Sequence, residues 1–87
     1  MIYIYNLDAI TWFFEVCIQE TELMDLPFEL INTKRTETDW VHCSVEHVKT
    51  FGKVFRGHGG LFNLSEMIKI FRDWAEPVWQ RELSGGP

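Results

Sequence analysis

The chain has 87 residues, a net charge of −5 and a pI near 5.0, with 46% of its residues hydrophobic and 15% aromatic. That length allows one domain, the acidic balance argues against broad nucleic-acid binding, and no stretch approaches the ~20 apolar residues of a membrane span. The charge is unevenly placed: residues 1–46 carry nine acids against Lys34 and Arg35, a net of −7, while residues 47–87 carry six bases against four acids, a net of +2. Thirteen aromatic residues run through both halves. In so small a domain most of them are needed as core.

Residues 1–5 alternate as a short strand does. Residues 7–24 fit two periods. At about 100° per residue, Ile10, Phe13, Phe14, Cys17 and Ile18 share one helix face, with Asp8, Thr11, Glu15, Gln19 and Glu22 opposite. As a strand, Ile10, Trp12, Phe14, Val16 and Ile18 alternate equally well. The pattern outruns most strands, so a helix is expected, capped by Asn6 or Asp8 and ending near Gln19. Pro27 breaks the chain. Residues 28–33 and 39–43 read as two strands of a hairpin turned by residues 34–38, with Lys34 and Arg35 discouraging foreign strands at its edge.

Ser44 is positioned to cap a helix over residues 45–55, burying Val45, Val48, Phe51, Val54 and Phe55, with Gly52 in the same sector. The glycine-rich residues 56–60 read as the loop that ends it, Gly57 taking the left-handed conformation. Asn63 and Glu66 have capping-box spacing and open a last helix, whose Leu64, Met67, Ile68, Ile70, Phe71, Trp74, Ala75 and Val78 line one face. Pro77 is expected to kink or restart it. The resulting expectation is a single α+β domain over residues 1–83 with a flexible tail at 84–87. Its short sheet, an N-terminal strand plus a hairpin, would be covered by two to three helices.

Reactive chemistry is sparse. His42, Cys43 and His47 lie close in sequence, with His58 or Cys17 needed to complete a metal site, but the spacing is not that of a zinc motif. On a strand His42 and Cys43 point to opposite faces. The glycine-rich loop lacks the lysine and hydroxyl ending of a phosphate loop. No serine or cysteine has a base placed by sequence to activate it. A non-enzymatic protein without metal or cofactor is therefore expected. Two cysteines without CxxC spacing and a start lacking a basic leader suggest reduced thiols and a cytoplasmic location.

What remains is recognition. If residues 7–24 are helical, Asp8, Glu15, Gln19 and Glu22 form a polar, largely acidic stripe with Trp12 beside it, suited to a basic protein surface. Trp79, with Leu83, offers a second contact or a homodimer seam. The expected function is a small acidic inhibitor or antagonist of a nucleic-acid-handling machine, a profile shared in general terms with phage-encoded inhibitors. The alternative is a helix-based nucleic-acid-binding regulator using Lys49, Lys53 and Arg56.

Overall fold

In the computed structural model, which describes residues 2–84, the chain forms five strands and one helix: β1 (Ile2–Leu7), β2 (Thr11–Cys17), β3 (Ile31–Lys34), β4 (Trp40–Val48), β5 (Gly52–Gly60) and α1 (Leu64–Ser84). All strand pairs are antiparallel, in the order β1-β2-β5-β4-β3. The α+β class holds, but one helix lies on a five-stranded sheet, where two to three helices over a short sheet were expected.

Two expected helices are strands, and the reason is visible in the register. Residues 11–17 pair with β1 on one side and β5 on the other, so their backbone groups are satisfied within the sheet. Phe14, Val16 and Ile18 are buried, whereas Phe13, Glu15 and Cys17 alternate to the opposite face. Residues 45–55 are the end of β4, a turn, and the start of β5, closed by Gly52 at φ +76°. Ser44 therefore caps nothing; it is a buried residue within β4.

The glycine-rich stretch is no loop. Gly57, Gly59 and Gly60 belong to β5 and are buried under the start of α1. A Cβ on Gly57 would stand 3.0 Å from the Met67 sulfur, and one on Gly59 3.3 Å from the same sulfur and 3.2 Å from the Asn63 Cβ, besides 3.0 Å from the Trp40 carbonyl oxygen of β4. These missing side chains let the helix settle onto the sheet. Asn63 and Glu66 do mark the helix start, but not as a capping box. The Asn63 amide oxygen accepts the Trp40 N–H at 3.3 Å, and its amide nitrogen donates to Asp39 and Glu66 at 2.9 and 3.0 Å.

The helix continues through Pro77 to Ser84. Asp73, which would have accepted the missing proline N–H, is exposed, as is Pro77, so the carbonyl freed there faces solvent. The tail expected from residue 84 begins inside the helix, and residues 85–87 and Met1 lie outside the described residues. No described helix is long and apolar enough to cross a membrane.

One face of the sheet carries the core. Phe14, Phe28, Phe55, Phe71 and Trp74 form a connected ring cluster with centroids 5.0–6.1 Å apart, mostly edge to face. Residues 18–30 run from β2 to the far edge of the sheet and seal this cluster with Ile18 and Leu23. They are pinned by the Lys53 ammonium on the Met24 carbonyl at 2.9 Å and the Trp74 indole N–H on the Pro27 carbonyl at 2.8 Å.

Candidate functional site

The opposite face of the sheet has no covering layer among the described residues. Strand alternation puts Tyr3 and Tyr5 of β1, Phe13, Glu15 and Cys17 of β2, Val54, Arg56 and His58 of β5, and Trp40, His42, Ser44 and Glu46 of β4 on it. In β5 Gly57 and Gly59 alternate to the core side with Phe55, so Arg56 and His58 face outward.

Two cross-strand rows organise this face. In the first, Tyr5 stacks on Phe13 at 5.0 Å, Phe13 on His58 at 4.2 Å, and Trp40 meets His58 edge-on at 4.7 Å. Desolvation, helped by neighbouring His42, lowers the His58 pKa and favours the neutral ring. The second row is polar. Glu15 accepts the Tyr5 hydroxyl at 2.8 Å and the Arg56 Nε–H at 2.8 Å. Arg56 also reaches Glu46 at 3.4 Å, and Glu46 accepts the Ser44 hydroxyl at 2.7 Å. Burial works against the Arg56 charge, but its bond to Glu15 and the fields of Glu15 and Glu46 raise its pKa. Burial also raises the Tyr5 pKa, as does the Glu15 carboxylate. Beside this row lies a depression of about 340 Å³ lined by Tyr3, Tyr5, Cys17, Val48, Phe51 and Val54, with Glu15 and Arg56 at its rim.

The face is thus a shallow aromatic surface crossed by a hydrogen-bonded chain of charges. Its Glu15, Glu46 and Arg56 are engaged with one another and with the Tyr5 hydroxyl. Among the described residues no three His, Cys, Asp or Glu side chains converge as a metal site requires. Cys43 is fully buried in the core, its thiol pKa pushed up to about 12 by desolvation, while His42 lies on the other face.

The stripe expected from a helix over residues 7–24 does not assemble. Asp8 sits in the β1–β2 turn at φ +54°, accepting the Ile10 N–H. Trp12 is half-buried on the helix-covered face, and Glu15 is on the open one. Gln19 lies past β2 with its amide oxygen on the Lys53 N–H at 2.9 Å, and Glu22 is exposed in the segment beyond. Trp79 stands on α1, 42% exposed, its ring against Phe71. The basic trio is dispersed too: Lys49 is in the β4–β5 turn, Lys53 ties residues 18–30, and Arg56 lies at the centre of the open face.

The open-face residues not expected from sequence to take part in recognition are Tyr3, Tyr5, Phe13, Trp40, Glu46 and His58, the last weighed only as a metal ligand. Their signal is period two. Once β2 and β5 are strands, Phe13 and Glu15 fall into line with His58 and Arg56.

No curated protein and no solved structure matches the chain. A family model, that of Immunity protein 53 (Imm53), matches residues 1–76, which include the whole sheet and α1 up to residue 76. With that match spanning most of its 87 residues, the chain belongs to the Immunity protein 53 family.

Proposed function

We propose that this protein is an inhibitor that neutralises a protein toxin by laying the open face of its sheet against it, with no catalysis of its own. Membership of an immunity-protein family supports an inhibitory, protein-binding role. The observation that carries the choice of surface is that the uncovered face concentrates Tyr, Trp, Phe and Arg, the side chains that dominate binding energy at interfaces. The Tyr5–Glu15–Arg56–Glu46–Ser44 chain holds those groups in place before the partner arrives, which lowers the ordering cost of association.

The acids divide the labour. A net charge of −5 and exposed Glu20, Glu22, Asp25, Glu29 and Glu37 favour approach to a basic surface, of the kind found on toxins that handle nucleic acid. The open face then supplies contact and selectivity.

The test is capture of the partner from host lysate, followed by its co-expression with variants of this chain. Wild type restores growth of cells producing the captured toxin. Tyr5→Ala and Arg56→Glu fail to restore it, whereas Lys69→Ala on the outer side of α1 protects as well as wild type. Equal protection by all three variants would refute the assignment of the sheet face.

A further inference from the structure

We propose that two copies of this chain pair antiparallel through β1, joining their sheets about a two-fold axis at Ile4. This goes beyond the toxin-binding reading and does not depend on it. The sheet has two free edges, and they differ. β3 is only four residues long and ends on Lys34, whose ammonium lies 3.2 Å from Glu37; brevity and charge are the usual ways of keeping an edge from pairing. β1 has six residues, Ile2–Leu7, with no charge and no proline, and its register with β2 runs without interruption. Its outer row of N–H and C=O groups is therefore continuous.

Both faces of that edge are apolar and open. Ile2 and Ile4 are 60% and 46% exposed on the helix side, and Tyr3 and Tyr5 are 44% and 41% exposed on the other. The apolar ground continues onto α1. At about 100° per residue, Ile70 and Trp74 fall on the helix flank that faces Phe28 and Ile31, and Trp79 falls on the opposite flank. There Trp79 leans on Phe71, which touches Phe14, the cross-strand partner of Ile4.

Charge selects the occupant. A basic partner would be met by acids, yet this strand has none. Two chains of net charge −5 repel each other unless their seam is neutral, and β1 is such a seam. Antiparallel pairing across a two-fold keeps both helices on one side of the joined sheet. Ile4 then meets Ile4 and Tyr3 meets Tyr5, aliphatic beside aliphatic and ring beside ring.

Light scattering coupled to size exclusion, on the full chain at about 100 µM, is expected to give twice the 10.3 kDa of one chain. Ile4→Lys, which sets like charges against each other at the axis, halves that mass with little change in the circular-dichroism melt. In a Cys17→Ser background, Ile4→Cys oxidises to a covalent dimer, whereas Tyr3→Cys, which faces Tyr5 across the seam, does so far less. The cross-link decides the matter should Ile4→Lys fail to fold. A single-chain mass for wild type, or a dimer that Ile4→Lys leaves intact, overturns the proposal. So does protection of the β1 amides from hydrogen exchange that appears only when toxin is added, since the strand would then be the toxin's.

Discussion

The two faces of the sheet use the same kinds of side chain for opposite ends. On the helix side, Phe14, Phe28, Phe55, Phe71 and Trp74 meet mostly edge to face with no charged group in their midst. On the open side, Tyr5, Phe13 and His58 stack nearly flat, at interplanar angles of 10° and 12°, beside the Glu15–Arg56–Glu46 chain. The first arrangement fills volume, and the second packs rings face to face along the sheet, where Tyr5 is exposed and Phe13 and His58 are half-buried. Aromatic content therefore does not report function; what the rings alternate with does.

If that contrast is right, the largest loss comes from the covered face. Phe55 is fully buried and touches four other rings, so Phe55→Ala should cost about 3–5 kcal/mol in urea unfolding, enough to leave little folded protein. The next largest tests how closely β5 is packed by its neighbours, β4 beside it and α1 above it. Gly59→Ala presses a methyl on the Trp40 carbonyl, which is backbone, and should cost about 1–3 kcal/mol. Gly57→Ala meets the flexible end of Met67 and should cost less. Equal melting temperatures for these two variants would mean the β4 backbone at Trp40 yields as readily as the Met67 side chain, against the packing around β5.

How much of this was legible in the sequence depended on which periods coincide. Ile10, Phe14 and Ile18 are four apart, and a spacing of four fits a helix face and a strand face alike. Only Trp12 and Val16 against Phe13 and Cys17 discriminate, and all four are apolar. Pairing with β1 and β5, which local sequence does not display, settled the matter. The glycines of β5 carry the signature of a loop because the helix that needs their bareness arrives later in the chain. By contrast, the β3–β4 hairpin and the start of α1 at Asn63 are marked by residues close in sequence, and both were legible, although Asn63 does not act there as the capping box its spacing suggested. The site was hidden by the same pairing. The acidic first half and the basic second half suggested two separate faces, but the sheet sets Glu15 and Glu46 against Arg56, and Arg35 bridges Asp39 and Glu66. Part of the charge segregated along the chain is thus paired in space.

That pairing predicts a small stability effect joined to a large binding effect. Arg56 is about one-third exposed, so Arg56→Ala should cost roughly 1 kcal/mol or less, since half-exposed ion pairs are weak. Tyr5→Phe, which removes one hydroxyl bond at the surface, should be smaller still. Both should nevertheless reduce toxin capture, measured by calorimetry or by growth protection, more than any substitution on the outer face of α1. Capture left unchanged by both Arg56→Ala and Tyr5→Phe would place the binding surface elsewhere.

The smallest expected effect is also the most specific to the open face. His58 is held between Phe13 and Trp40 with His42 across the strand, and its folded pKa lies below the ordinary histidine value. A depressed folded pKa means that the unfolded chain takes up the proton first. The stability this ring contributes is therefore fully present above the unfolded pKa of about 6.5 and is lost as pH falls through the folded value. Melting temperatures should accordingly decline between neutral and mildly acidic pH, and part of that decline should vanish in His58→Gln, which cannot titrate. Asp39, kept below the usual carboxylate range by Arg35 and Asn63, contributes its own loss only at lower pH. The histidine step and the carboxylate step therefore separate along one titration. If His58→Gln leaves the step near neutrality untouched, the ring is not enclosed by its aromatic neighbours, and the open face is looser than the covered one in a way its geometry does not allow.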